Sequence, residues 1–167
     1  NAVLPQAPRA GEWGGIIFRA DQDKNEARRD FEAKGAFINY VNHADMRYGG
    51  GKVVVNSVQQ TITPIHMVQS RPTVTFNSIT FSAGGAMSAD PDAFEISNFH
   101  DPSSQFVSPY TSDYQRIGPD INNNLIIDNS ANALIIRIET LANNSVRPQT
   151  VVARWDDRDI VHLLTEN

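Results

Sequence analysis

The sequence contains no cysteine. Without this residue the chain has no disulfide bond, no thiolate nucleophile and no zinc–thiolate site. Such a composition is compatible with a cytosolic protein and with an exported bacterial protein. Long apolar runs are missing as well, and without a run of about 20 apolar residues we predict no membrane-spanning helix.

Positive charge is sparse. The chain has 14 Lys and Arg residues against 19 Asp and Glu residues, for a net charge of −5. Arg28 and Arg29 form the only adjacent basic pair. Binding to a phosphate backbone depends on clustered basic side chains, so we predict no nucleic-acid partner. With 167 residues, of which 40% are apolar, we expect one soluble unit over residues 1–167.

Helical periodicity is scarce, and its best candidate is a short charged stretch at residues 24–34. Apolar and polar residues instead alternate in short segments rich in β-branched residues, and clusters of Gly and Asn separate these segments. This pattern predicts a mainly β architecture. The predicted strands include residues 53–55, 73–76, 79–81, 134–138 and 150–153.

An internal repeat indicates which β architecture to expect. A shift of 47 residues aligns Val74, Asn77, Ile79, Ala86 and Met87 with Ile121, Asn124, Ile126, Ala133 and Leu134. A shift of 33 residues aligns Val41, Met46 and Tyr48 with Val74, Ile79 and Phe81. One coil of a parallel β-helix takes roughly 20 to 25 residues, so 47 is interpreted as two coils and 33 as one coil with a longer loop.

The repeat therefore predicts an all-β fold, a right-handed parallel β-helix that is a fragment of a longer solenoid. Asn77 and Asn124 fall at equivalent places, where they are expected to take the left-handed backbone of a turn and to bond to the neighbouring coil. Ordinary turn asparagines are the simpler interpretation. A β-sandwich is the alternative fold, because it also has short strands separated by turns.

Several segments carry a family resemblance: GEWGGIIFRADQDKN, FINYVNHADMRYGGGKV, ITPIHMVQSRPTVTFNSITFSAGGAMSADPDAFE, SDYQRIGPDI and WDDRDIVHLLTEN. The chain resembles segments of very large bacterial surface or secreted proteins, notably of planctomycetes. In the pattern NNSxNGLFVR of such proteins, Ala133 stands in place of glycine. The resemblance implies parallel β-helix repeats at the cell surface or outside the cell, joined to flanking domains of a parent protein. It implies no particular ligand or activity.

A charged loop at residues 21–34 has partial calcium-loop spacing. In DQDKNEARRDFE, the oxygen-bearing residues Asp21, Asp23 and Asn25 are followed by Glu32 at the twelfth position. This spacing predicts a candidate calcium site, although Glu26 stands where an EF-hand loop needs glycine. The alternative is a solvated loop between strands at residues 16–18 and 37–40, with its acids neutralised by neighbouring Lys and Arg.

A second acidic cluster lies near the end of the chain. Asp156, Asp157 and Asp159 precede His162 and form a weaker candidate metal site. The same carboxylates could act as acid and base in a polysaccharide-cleaving enzyme, with Arg137 or Arg158 as base or charge stabiliser. A turn followed by an edge strand with charged outward positions is the alternative.

The remaining motifs are explained by turn chemistry. Residues 88–120 are expected to form a long irregular loop that begins with the turn-forming Ser-Ala-Asp-Pro-Asp of residues 88–92 and continues to His100 and Asp101. Its aromatic residues are expected to cover an open core or, in a third hypothesis, to bind sugar. The three glycines at 49–51 do not fit a phosphate-binding loop and are expected to form a turn between two strands. The four histidines show no HxH or HExxH spacing and are expected to be hydrogen-bonded core or turn residues.

Taken together, the patterns favour a non-catalytic structural or adhesive segment, with calcium in its loops. Its expected partners are the flanking domains of a parent protein, other copies of itself stacked end to end, or surface polysaccharide. Both ends of the chain are expected to continue into a longer protein. The alternative functions are a polysaccharide lyase-like enzyme and a carbohydrate-binding module.

Overall fold

The structure, a computed structural model, describes residues 6–19, 39–55, 57–70, 72–94, 119–153, 155 and 158–166. Within these residues the regular structure consists of short strands and one 3-10 helix, Pro91–Phe94. The strands are β1 (Ile16–Arg19), β2 (Tyr40–Asn42), β3 (Asp45–Arg47), β4 (Lys52–Val55), β5 (Val58–Thr61), β6 (Ile65–Val68), β7 (Thr73–Thr75), β8 (Ser78–Thr80), β9 (Gly85–Ala89), β10 (Asp120–Asn122), β11 (Leu125–Ile127), β12 (Ala131–Ile138) and β13 (His162–Glu166). The all-β prediction is confirmed.

Three parallel sheets and one antiparallel hairpin contain all of these strands. Sheet A has five strands in the order β1-β6-β9-β12-β13. Sheet B has the order β10-β7-β2, and sheet C has the order β11-β8-β3. The hairpin pairs β4 with β5. The sheets of a β-sandwich are antiparallel, so the three parallel sheets do not match that alternative.

Consecutive strands of the chain join different sheets in a fixed order. The strands β7, β8 and β9 lie in sheets B, C and A, and β10, β11 and β12 repeat this sequence of sheets. The strands β2, β3 and β6 follow the same order, with the hairpin inserted between β3 and β6. We call one such traverse of sheets B, C and A a pass of the chain. Each pass adds one strand to each sheet.

The strand register confirms the alignment predicted from the repeat. Val41 pairs with Val74 and Met46 with Ile79, which is the shift of 33 residues. Val74 pairs with Ile121, Ile79 with Ile126, and Met87 with Leu134, which is the shift of 47 residues.

The interpretation of the longer shift as two coils is wrong. Strands 47 residues apart are direct hydrogen-bonded neighbours, so this shift is one pass of the chain. The shortest pass separates His66 of β6 from its neighbour Ser88 of β9 by 22 residues. The hairpin lengthens the pass between β3 and β8, and residues 95–118, which lie outside the described part, lengthen the pass between β8 and β11.

The core lies between the three sheets. The inner strands of the three sheets contribute side chains to it, and neighbouring strands place matching side chains in register, so the core consists of aligned columns. The residues Val74, Ile79 and Leu134 are fully buried members of such columns. The others, also buried, include Ile65, Met67, Met87, Ile121 and Ile136.

An asparagine ladder joins sheets B and C at the turn between them. The Asn124 Oδ1 accepts hydrogen bonds from the backbone N–H and from Nδ2 of Asn77, each at 2.9 Å. One pass earlier, Asn77 Oδ1 accepts a hydrogen bond from the Ala44 N–H at 2.9 Å. In the same way, Asn77 Nδ2 donates to Val41 O and Asn124 Nδ2 donates to Val74 O. The predicted bonding of these amides to the neighbouring pass is confirmed.

The predicted left-handed backbone at Asn77 and Asn124 is wrong, because the residue before each of them has that conformation. The residues Phe76 and Asn123 have φ of 56° and 54°. A second column at the turn between sheets C and A includes Tyr48 and Phe81, with φ of 62° and 58°. This conformation turns the aromatic side chains outward, and the Tyr48 and Phe81 rings stack with centroids 5.3 Å apart.

The glycines at 49–51 form a turn between β3 and β4, as predicted. The N-terminal segment, residues 11–14, packs directly on them. Gly50 N donates to Gly14 O, and Gly51 N donates to Trp13 O at 2.8 Å. A Cβ atom added at Gly51 would collide with the backbone of Gly11. Glycine is needed there for close approach of two backbone segments.

Three sequence predictions differ from the structure or fall outside it. Residues 150–153 are not a strand, because they lie in an irregular segment in which Val152 is exposed. The predicted loop at residues 88–120 begins inside β9, continues as the 3-10 helix and ends in β10, and its middle lies outside the described residues. The charged stretch at residues 24–34 also lies outside them.

In the described residues no helix is both long and apolar enough to cross a bilayer.

Candidate functional site

The outer face of sheet A carries a group of hydrogen-bonded polar side chains beside two cavities. Alternation along β12 places Leu134 and Ile136 in the core, so Ile135 and Arg137 lie on the outer face. On β6 and β9 the corresponding outer residues are His66 and Ser88.

The antiparallel hairpin forms a wall over this face. Its strand β5 ends at Thr61, whose carbonyl oxygen accepts a hydrogen bond of 3.0 Å from Arg137 Nη2. This bond spans 76 residues of sequence and fixes the distance between the hairpin and β12. A cleft lies between them.

Two cavities meet at Arg137. The larger, of about 490 Å³, opens between the hairpin and the outer face of β12 and β13. It is lined by Gln60, Thr61, Ile135, Arg137 and Thr165. The smaller, of about 220 Å³, lies on the other side of the guanidinium, between the 3-10 helix and residues 147–149. Among the described residues, acidic side chains line only the smaller cavity, and they are Asp90, Asp92 and Glu139.

Arg137 differs from the other arginines whose contacts the structure describes. Arg47 pairs with Asp45 at 2.6 Å, and Arg147 pairs with Glu139 at 2.7 Å, both on the exposed surface. Arg137 is half-buried, and its hydrogen bond within the described residues goes to an uncharged carbonyl. Burial lowers the pKa of its guanidinium, because the charged group has lost water without gaining a carboxylate.

Asp90 lies at the edge of the smaller cavity. Its Oδ1 accepts a hydrogen bond of 2.9 Å from the Gln69 N–H, which joins the end of β9 to the end of β6. Burial, assisted by the nearby charge of Asp92, raises the pKa of the Asp90 carboxyl. Asp92 itself accepts hydrogen bonds from the backbone N–H and the hydroxyl of Thr150, so it anchors the irregular segment that follows β12.

A chain of hydroxyl groups connects His66 to the backbone, and its direction can be assigned. The hydroxyl of Thr63 donates its one proton to Ile65 O at 2.6 Å. The contact of 2.7 Å between Thr63 and Ser88 must therefore be donated by the Ser88 hydroxyl. Ser88 then accepts from His66, whose Nδ1 lies 2.9 Å from it, so neutral His66 carries its proton on Nδ1.

The direction of hydrogen-bond donation between His66 and Ser88 is opposite to that between a serine nucleophile and its histidine base. An activated serine donates its proton to an imidazole nitrogen, whereas here Ser88 accepts from the imidazole. Burial, followed by the charge of Arg137, lowers the pKa of His66 to about 4, so the ring is neutral at pH 7. The cluster orients His66 beside Ser88, which is the register partner of Ile135 in the lining of the larger cavity.

Most residues of the candidate calcium sites lie outside the described residues. These are Asp21, Asp23, Asn25 and Glu32 of the charged loop, together with Asp156 and Asp157. Asp159 is exposed, whereas His162 of the same cluster turns towards Phe94, with ring centroids 5.9 Å apart. The described residues contain no group of three or more His, Asp or Glu side chains that could hold a metal ion. Calcium at these sites stays a prediction.

The sequence pattern grouped Arg137 with Asp156, Asp157 and Asp159, and of these acids Asp156 and Asp157 lie outside the described residues. The structure places Arg137 in the lining of the smaller cavity, together with Asp90 and Asp92. A signal for this neighbourhood was present, because the shift of 47 residues that aligns Met87 with Leu134 also aligns Asp90 with Arg137. The hairpin contact and the hydroxyl chain had no such signal.

Comparison of the chain with protein-family models, with curated proteins and with solved structures finds no match.

Proposed function

We propose that the chain is a segment of a right-handed parallel β-helix and that it serves as a non-catalytic structural scaffold. The observation that carries this proposal is the shared register of the three parallel sheets, which the chain visits in a fixed order. A right-handed path is the one that parallel strand connections take in nearly all proteins. Stacked passes bury a continuous column, which suits a rigid rod.

The asparagine ladder supports a scaffold role. The amides of Asn77 and Asn124 satisfy backbone groups of the preceding pass, so each pass is joined to its neighbour by side-chain as well as by strand hydrogen bonds. Networks of this kind make a structure rigid when all members are satisfied. The direction of hydrogen bonding at Ser88 supports the absence of a serine nucleophile in this cluster.

The fold is tested by cross-linking, which a chain without cysteine makes simple. Ser78 and Leu125 are direct partners on parallel neighbouring strands. In the double variant S78C/L125C, oxidation should form a disulfide, because neighbouring strands place Cα atoms within the distance that a disulfide spans. The control R47C/L125C carries its cysteines two strands apart and should stay reduced. Cross-linking of the control, or none in the first pair, would overturn the proposed stacking.

The non-catalytic role is tested separately. The protein is incubated with polygalacturonate, alginate and a neutral glucan, and the appearance of unsaturated uronate ends and of new reducing ends is followed. We expect neither product. Product that is lost in the Arg137→Gln variant would replace the scaffold proposal with a lyase-like enzyme.

A further inference from the structure

We propose that the larger cavity beside Arg137 binds a sugar acid, with the Arg137 guanidinium as the anchor for its carboxylate. This site goes beyond the scaffold function, because a rigid rod needs no ligand on its outer face. Five residues line the site: Gln60, Thr61, Ile135, Arg137 and Thr165.

The charge of the ligand is indicated by Arg137. A guanidinium has five N–H donors, and within the described residues Arg137 uses one of them, towards Thr61 O. Its partial burial without a carboxylate partner leaves a positive charge that an anion would compensate. Arg19 adds to the positive potential on this face, since its charge also acts on His66. Planar carboxylates match the two parallel donors of a guanidinium.

The position of the anion follows from the distribution of the acids. In the smaller cavity Arg147 is paired with Glu139, so Asp90 and Asp92 are the acids that would repel a carboxylate. The described lining of the larger cavity has no acidic side chain. An anion that contacts Arg137 is therefore expected on the side of β5 and β13.

The rest of the ligand is indicated by the neutral lining. Gln60 offers an amide, Thr61 and Thr165 offer hydroxyl groups, and Ile135 offers an apolar surface at the floor. Such a mixture suits a compact ligand with several hydroxyl groups and one carbon-rich face. A volume of about 490 Å³ is within the range of small-molecule sites. A hydroxylated carboxylic acid of the size of one hexuronic acid unit satisfies these conditions.

The test is a titration of the whole chain at pH 7 with galacturonate, followed by calorimetry and by amide chemical shifts. Galactose is the matched neutral probe, and sulfate is an anion without the hydroxyl-bearing ring. We expect galacturonate to bind about 10-fold or more tightly than galactose, the effect of one charged hydrogen-bonded contact. Equal binding of galactose, or saturable binding of sulfate alone, would overturn the assignment.

The variant Arg137→Gln removes the charge and keeps a donor for Thr61 O. It should weaken galacturonate binding about 10-fold or more, with an unchanged unfolding midpoint. The matched control is Arg47→Gln on sheet C, which removes an exposed arginine paired with Asp45 and should leave binding unchanged. If Arg137→Gln unfolds, Thr165→Val decides instead, and it should weaken binding about threefold by loss of one hydroxyl. Unchanged binding in a folded Arg137→Gln, or an equal loss in Arg47→Gln, would show that Arg137 only tethers the hairpin.

The two proposals fail separately. Loss of sugar-acid binding would leave the scaffold untouched, whereas cleavage of polygalacturonate would overturn the non-catalytic role and leave the site in place.

Discussion

Asn77 and Asn124 are 47 residues apart in sequence, yet the Nδ2 of the first donates to the Oδ1 of the second at 2.9 Å. The same Oδ1 accepts from the backbone N–H of Asn77, so one amide serves two donors of the preceding pass. Their side chains therefore fix the register between neighbouring strands as directly as the strand hydrogen bonds do.

Replacement of Asn77 by alanine should be strongly destabilising. The side chain is 2% exposed, and its loss leaves the Ala44 N–H and the Val41 carbonyl without these partners. Because unsatisfied buried groups are costly, we expect a loss of about 3 kcal/mol in the free energy of unfolding, measured by urea denaturation. The control Asn143→Ala removes an exposed amide whose hydrogen bonds within the described residues go to nearby Ser145, and it should cost less than about 0.5 kcal/mol. Similar losses in both variants would argue against the ladder.

The two glycines Gly51 and Gly84 should respond in opposite ways to alanine. A Cβ at Gly51 meets the backbone of Gly11 and Trp13, which cannot move without breaking the hydrogen bonds of the N-terminal segment. At Gly84 no atom lies within 4 Å of such a Cβ. We expect Gly51→Ala to prevent folding or to lower the unfolding midpoint sharply, and Gly84→Ala to be neutral or stabilising by up to about 1 kcal/mol. A tolerated Gly51→Ala would contradict the close packing of these segments.

The aromatic residue Phe81 combines a strained backbone with a favourable ring contact. Its φ of 58° is rare for a bulky residue, while its ring stacks on Tyr48. Phe81→Asn relieves the strain and loses the stack, whereas Phe81→Ala loses the stack and keeps a conformation that alanine disfavours. Thermal unfolding should therefore show Phe81→Ala to be less stable than Phe81→Asn by about 1 kcal/mol. The reverse order would mean that the backbone of this turn differs from the one described.

His66 should make stability depend on pH in the acidic range. Its pKa is lowered by burial, and then by Arg137, from 6.5 to about 4. Between these pH values the unfolded chain binds a proton that the folded chain does not, so stability falls as the pH decreases from 6.5 to 4 and this contribution levels off below 4.

The measurement compares the wild type with His66→Gln by urea unfolding between pH 4 and pH 7. The raised pKa of Asp90 acts with opposite sign but is present in both proteins, so it cancels in the difference. We expect the stability advantage of the wild type over the variant to shrink as the pH falls through this window. A difference that stays constant would show that His66 is not held neutral.

The sequence alone determined the all-β class and the positions of several strands, among them those at residues 53–55, 73–76, 79–81 and 134–138. Alternation in residues 134–138 predicted a strand there, and the repeat predicted the alignment of Val74 with Ile121 and of Val41 with Val74, which are register partners in the structure. These features are local or periodic, and a pattern of period two reports directly which side of a strand is buried.

Only the tertiary structure decided how many passes separate these pairs and what lies beside Arg137. The length of a pass depends on inserted segments that do not follow the repeat. These are the hairpin β4–β5 in the pass of 33 residues and residues 95–118 in the pass of 47 residues, so 47 residues looked like two coils. The left-handed residues precede the asparagines because the strand pairing fixes where each turn must bend. The bond from Arg137 to Thr61 joins positions 76 residues apart, and no periodic pattern in the sequence connects a hairpin to the sheet on which it folds.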